Sequence, residues 1–257
     1  MKSFYEYVLT DDLEGEYVII MDSKLNYDSH KKDSIIYAAN RREVELLLFM
    51  LKTEVKVYRK AVNDQNILDW LSGKNYSEVL SDLNIYGTEY REFARTIEKI
   101  PVSSKIYTQL DENRQKLDKV YVHKHKPENV LLSKEVKLNN SNLLFFNAFI
   151  DTTEIILDHI AEDHVEGVLL SEICRQASIA SINLCMEYSK VFVLLEDKKV
   201  FNKFIRRDKD IIIKVFSMGE VKGTGFCVLN ILQEGNLCVK ATLRGYNFET
   251  KEEYIHG

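Results

Sequence analysis

The segment Gly167–Met186 constrains this chain most, because it predicts one long helix with little bulk on several faces. Apolar positions Val168, Leu169, Ile173, Ala177, Ala180 and Leu184 recur mostly at three- and four-residue steps. Small residues (Ala177, Ser178, Ala180, Ser181) fill much of the remainder. Such a helix suits enclosure by other structure rather than a place on a surface. Short runs of strand character surround it. Asn129–Glu135 and Leu143–Ile150 precede it, with Asn139–Asn142 as a turn cluster between them. After it come Lys190–Leu195 and Val200–Ile205, the second readable also as a short helix, flanking the turn-like Glu196–Lys199. Asp210–Met218, Thr224–Gln233 and Leu237–Phe248 follow, the last two joined by Glu234-Gly235-Asn236. Short turns between consecutive strands imply antiparallel neighbours, so a meander is expected. The reading is α+β: a long central helix wrapped by a curved antiparallel sheet.

The first part of the chain is more mixed. Glu16–Asp22 and Glu54–Arg59 are strand-like, and Arg42–Lys52 is helical. Asp64–Gly73 reads as a helix with an Asp N-cap and a Gly C-cap, and Tyr76–Leu83 and Thr88–Ile100 as two further helices. Pro101–Ser104 is a break and Asp111–Lys119 a charged connector. We therefore expect a smaller mixed α/β domain over residues 1–110 and the sheet-and-helix domain over 120–257.

Composition limits the partners. The 257 residues are 45% hydrophobic and 29% charged with only two prolines, which is a globular mixture. A net charge of −5 gives no electrostatic case for nucleic acid or an anionic membrane surface. Residues 1–120 carry 18 basic against 21 acidic side chains, which speaks against DNA binding by that half. The longest apolar runs, such as Leu46–Leu51, are too short to span a bilayer. Met1–Gly15 is polar and acidic, unlike a secretory leader, so a cytoplasmic protein is expected. Cys174, Cys185, Cys227 and Cys238 form no CxxC pair and read as buried small hydrophobes.

The chemistry gathers around the start of the long helix. Glu172 follows Gly167 by five residues, and Glu172, Arg175 and Gln176 fall within about one turn of each other. Burial is expected to raise the Glu172 pKa and make it a general acid or base, unless it pairs with Arg175. Arg175 then either keeps Glu172 ionised or clamps an anion. Gly167 and Val168 offer backbone N–H groups where a thioester carbonyl would be polarised. His159 and His164 precede the helix and are candidates for proton transfer. Asp158, His159, Asp163 and His164 have ligand chemistry, but their spacing matches no zinc pattern, so no metal is expected. Gly223 and Gly225 mark a bulge or close approach, not a phosphate loop. His123–Lys126 reads as a solvated basic loop, or as a contact to a cofactor phosphate.

Two segments resemble the A-factor biosynthesis (AfsA-type) hotdog family. Val122-His-Lys-His-Lys-Pro-Glu-Asn-Val-Leu-Leu-Ser133 is similar to that family's opening Val-His-Lys…Glu-x-Val-Leu-Leu signature. Asp163-His-Val-Glu-Gly-Val-Leu-Leu-Ser-Glu-Ile-Cys-Arg-Gln-Ala177 is similar to its Asp-His-Val-Pro-Gly…Glu-x-x-Arg-Gln pattern. With the strands behind the helix, the likeness covers 122 to about 248. Glu166 stands where the family has proline, which predicts a looser entry to the helix.

The resemblance implies a hotdog fold and an activity on acyl thioesters: an acyltransferase of the γ-butyrolactone type, or a related dehydratase or thioesterase. It implies acyl-CoA or a phosphopantetheine-linked acyl carrier protein as substrate, with no covalently bound cofactor, and a homodimer. Catalytic roles fall on Glu172, Arg175, His164 and His159, and substrate binding on Asp163, Gly167, Val168 and Gln176. His164 matches the family pattern, while the position of His159 is close to that of the loop histidine in dehydratase-type hotdog proteins. The competing reading is a non-catalytic acyl-ligand sensor or scaffold whose N-terminal domain binds other proteins.

Overall fold

Side-chain caps start three of the four helices of the first unit. The computed structural model describes residues 7–9, 16–21, 34–59, 62–83, 85, 88–139, 141–150, 163–186, 191–219 and 223–256. Two compact units emerge, residues 1–105 with 138–141, and residues 106–137 with 142–257. In the first unit, short strands β1 (Tyr7–Leu9), β2 (Tyr17–Ile20) and β3 (Ile35–Tyr37) precede α1 (Arg41–Leu51) and β4 (Val55–Tyr58). Then come α2 (Gln65–Leu71), α3 (Tyr76–Asp82) and α4 (Tyr90–Lys99). The strands order as β1-β4-β2-β3, with β2 parallel to both neighbours and β1 antiparallel to β4. Asn40 accepts the Glu43 N–H, Asp64 accepts that of Asn66, and Asn75 and Glu78 form a reciprocal capping box. Gly73 follows α2 at φ 75°, the left-handed conformation that glycine adopts without steric cost.

Helix α5 (Ser104–Glu112) opens at the division between the units. The second unit then holds β5 (Val136–Lys137), β6 (Leu143–Asn147), α6 (Gly167–Cys185), β7 (Val191–Phe201), β8 (Ile212–Gly219), β9 (Thr224–Gln233), β10 (Asn236–Phe248) and α7 (Lys251–His256). The six strands are antiparallel throughout and order as β5-β6-β8-β9-β10-β7. The long helix is where its pattern predicts it. Leu169, Ile173, Ala177 and Ala180 pack with Ile213, Val215, Leu229, Ile231, Val239 and Leu243 in one buried cluster. Each fully buried Leu or Ile there contributes about 1.5–3 kcal/mol. Small residues let α6 approach the sheet closely: the Ser181 hydroxyl donates to Ser217 Oγ at 2.9 Å, and the Cys227 thiol donates to the Ser178 carbonyl at 3.5 Å. Among the described residues, no helix is long and apolar enough to cross a membrane.

Two strand expectations need correction. Asn129–Glu135 does not form a strand; Pro127–Asn129 is a 3-10 turn, and beyond it Leu132 and Ser133 make only isolated bridges to Ala148 and Lys116. Its backbone groups are divided among several partners: the Gln176 side chain takes the Leu131 N–H and the Asn129 carbonyl, while the Ser133 and Lys134 N–H groups donate to the carbonyls of Asn147 and Gln115. Glu196–Lys199 is no turn but the middle of β7, which continues unbroken to Phe201. An edge strand has one neighbour, so its charges can face water. Glu196 meets Arg244 at 2.9 Å across the ladder to β10. The meander is therefore limited to β8-β9-β10, and β7 crosses to the far edge. The β9–β10 hairpin turns through Glu234 and Gly235, both at positive φ (51° and 73°), as a two-residue type I′ loop requires.

Gly225 marks a close approach, since an added Cβ would lie 2.5 Å from the buried Asn247 side-chain nitrogen. Gly245, at the register shift between β10 and β7, is tighter. A Cβ there would fall on the Val193 carbonyl oxygen and 2.6 Å from the Phe192 ring. Gly245→Ala should cost about 2–3 kcal/mol, because the obstacle is backbone that cannot rotate away. Urea denaturation would show it; a midpoint equal to wild type would mean that β7 shifts freely.

Candidate functional site

Helix α6 presents two groups of polar residues. At its start, the 19-residue helix has Glu166 as N-cap with no side-chain capping bond, so its first N–H groups are not taken by the cap side chain. A pocket of about 300 Å³ opens there, lined by His164, Gly167, Leu170, Phe201, Lys203 and Phe204. The His164 Nδ1 lies 2.7 Å from the Asp163 carboxylate, and its ring centroid is 5.3 Å from that of Phe204. The Asp163 carboxyl is held below its ordinary range by that hydrogen bond. The Val168 side chain is exposed, so only its backbone belongs with this end. His159 lies outside the described residues.

The second group centres on Glu172. Arg175 grips it in a fork, Nε to Oε2 at 2.8 Å and a terminal nitrogen to Oε1 at 2.7 Å. Lys124 Nζ reaches Oε1 at 2.8 Å and Gln176 Nε2 the same oxygen at 2.9 Å. Burial pushes the Glu172 pKa up, but hydrogen bonds from Arg175, Lys124 and Gln176 outweigh it and bring it to about 2. The expectation of a raised pKa is thus wrong in sign. A carboxylate with three charged or polar donors favours its anion more than burial opposes it. The same fork raises the Arg175 pKa.

Gln176 is fully buried and spends its polar atoms on the protein. Its oxygen accepts from the Leu131 N–H at 2.9 Å, and its nitrogen donates to the Asn129 carbonyl at 2.9 Å and to Glu172. It braces the site and leaves no donor for a substrate. Through Lys124, Asn129 and Leu131, the segments 122–133 and 163–177 meet across α6. His123 stands beside them in the left-handed conformation (φ 53°), its pKa lowered by burial and by the Arg175 charge.

Glu172, Arg175 and Gln176 come together as the spacing predicts, and Asp163, His164 and Gly167 gather at the helix start. The two groups are not brought together. Leu170 lines the pocket, and Glu172 is two positions on, about 200° around the helix. Lys124, read from sequence as part of a solvated loop, is the functional candidate that the spacing on α6 could not show; its signal lay in the Val122-His-Lys124 segment. Arg207 carried no sequence signal at all. Its guanidinium contacts both Glu166 oxygens at 2.5 Å, so the entry to α6 is tied down rather than loose.

No protein of curated function matches the chain. Solved structures similar to it include mouse thioesterase superfamily member 2, at 11% identity over 41% of this chain and 80% of that one, with a TM-score of 0.34. A hypothetical thioesterase protein with coenzyme A from Streptococcus pneumoniae TIGR4 is 17% identical over 41% and 77%, with a TM-score of 0.32. A phenylacetic acid degradation-related protein from Ralstonia eutropha JMP134 is 13% identical over 60% and 98%, with a TM-score of 0.37. The family described as the A-factor biosynthesis hotdog domain matches residues 107–249. This match takes in α6, all six strands of its sheet and both segments that meet at Glu172, and over it the chain belongs to the A-factor biosynthesis hotdog family.

Proposed function

We propose that the chain acts on acyl thioesters of coenzyme A or acyl carrier protein, transferring the acyl group to an alcohol. The observation that carries this reading is the ionised Glu172 carboxylate on the central helix. Its Oε1 accepts three bonds, while Oε2 accepts only one among the described residues, from Arg175. A carboxylate oxygen has about two acceptor sites, so Oε2 retains one for the O–H of an incoming alcohol. Arg175 and Lys124 leave the cluster with excess positive charge, suited to an anionic group on acceptor or carrier. The open amides of Gly167 and Val168 would polarise the thioester carbonyl. As the new C–O bond forms and the C–S bond breaks, the alcohol proton passes to the departing thiolate, with His164 as its carrier.

One unit keeps these groups on different sides of α6, so we place the complete site in a homodimer formed through the sheets. The open edge strand β7 exposes Leu194, Leu195, Val200 and Phe201, which supports that surface. Sizing at micromolar concentration should give a dimer; a strict monomer would sink this part of the reading.

The function itself is tested with a panel of acyl-CoA and acyl-carrier-protein thioesters, alone and with small alcohols such as dihydroxyacetone phosphate. Products are followed by mass spectrometry. An acyl ester would establish transfer, and a free acid or an enoyl product would mark a hydrolase or a dehydratase. Binding without turnover would favour the sensor reading.

A further inference from the structure

Arg207 lies 41 residues from Glu166, the N-cap of α6, in sequence, yet it is built into the helix start. Its Nε donates to the His164 carbonyl at 3.0 Å, and a terminal nitrogen holds the Glu166 carboxylate. The flanking backbones are joined as well: the Val165 N–H donates to the Ile205 carbonyl at 2.8 Å, and His164 bridges Arg206. The segment carrying Arg207 is itself pinned to the end of β9. Gln233 accepts the Arg206 N–H at 2.8 Å and donates to the carbonyls of Arg206 and Lys209 at 2.9 and 3.2 Å. Glu166 sits at ψ 144° and at φ −65°, the φ that a proline ring would impose without any partner. Burial works to raise the pKa of the Glu166 carboxyl, but its own backbone N–H and Arg207 outweigh that and lower it.

We propose that Arg207 is a positioning residue, whose clamp on Glu166 and on the His164 carbonyl sets the orientation of His164 and of the first turn of α6. Where proline would fix this corner covalently, an ion pair fixes it here, and the geometry of the pocket depends on a residue outside it. The effect on turnover rests on reading that pocket as the thioester site; the effect on His164 does not.

The test compares wild type with Arg207→Ala, Arg207→Lys and the double variant Glu166→Pro/Arg207→Ala. With a β-ketoacyl-CoA and dihydroxyacetone phosphate, Arg207→Ala should lower kcat by about ten- to a hundredfold with KM within about twofold. Arg207→Lys, which keeps charge but not the fork, should fall between. The double variant should recover kcat to within about threefold of wild type, since proline restores φ near −65°. Histidine ring NMR gives a readout free of turnover: the His164 signals should broaden or split in Arg207→Ala and return in the double variant. If Arg207→Ala does not fold, Arg207→Lys and the double variant decide. Unchanged kcat and His164 signals in the single variants, or a double variant as impaired as Arg207→Ala, would overturn the proposal. If wild type turns over no thioester, the acyl-thioester reading fails while the NMR comparison still decides the clamp.

Discussion

Glu172→Gln is expected to lower turnover to below about one hundredth of wild type and to cost roughly 2 kcal/mol of stability at pH 7. The amide turns an NH₂ toward a site that holds Arg175 and Lys124, so at least one cation loses its acceptor. It also removes the negative charge that orients the alcohol. The stability loss follows from the pKa. Glu172 is depressed from 4.5 to about 2, which is about 3 kcal/mol if fully realised and roughly 2 after solvent screening. The sign is that of a folded-state pKa below the unfolded one. The extra stability of wild type is fully present above about pH 4.5 and is lost as pH falls toward 2. Urea midpoints of wild type and Glu172→Gln should therefore differ about equally at pH 7 and 5, by roughly half as much at pH 3, and converge only below about pH 2. A constant gap down to pH 3 would contradict the assigned pKa, and wild-type turnover in the variant would end the case for Glu172.

What could be read beforehand followed from local chemistry. The α6 pattern is specific because a helix so poor in bulk has few places to go, and Asp64 caps α2 by the direct reach of a short side chain. Glu234-Gly235 predicts the β9–β10 hairpin for the same reason. The failures share a different cause, partners distant in sequence. Glu196–Lys199 reads as a turn until β10 is seen to supply Arg244 opposite it. Asn129–Glu135 reads as a strand until its backbone groups are seen to be shared among the Gln176 side chain and the backbones of Gln115 and Asn147. The Glu172 pKa comes out with the wrong sign because the Arg175 fork outweighs burial, helped by Lys124, which lies 48 positions upstream and is invisible to spacing on the helix. Arg207 replaces the conformational restraint of a proline with a contact that no local pattern announces.

Gln176→Glu tests the brace beneath this cluster and should be the more damaging change to the fold, at about 3 kcal/mol at pH 7. The side chains are nearly isosteric, so no cavity opens. The Leu131 N–H keeps an acceptor, but the nitrogen that faced the Asn129 carbonyl and Glu172 Oε1, both at 2.9 Å, becomes an oxygen facing two oxygens. Lys124 and Arg175 offset part of the added charge, yet both already point at Glu172. The least costly remedy is for the new carboxyl to keep a proton, which lets it donate where the amide did. Its folded-state pKa is then raised above the unfolded one, and the native state binds the extra proton more tightly. The deficit should be small below about pH 4 and grow as pH rises through the raised value, in a pH window above the one in which the Glu172 gap opens. Gln176→Leu separates charge from lost hydrogen bonding, because its cost of about 2 kcal/mol should be the same at every pH above about 4.5, where Glu172 is ionised in both states. If Gln176→Glu matches wild type at pH 7, or its deficit is as flat with pH as that of Gln176→Leu, Gln176 is not the brace that holds segment 122–133 against the central helix.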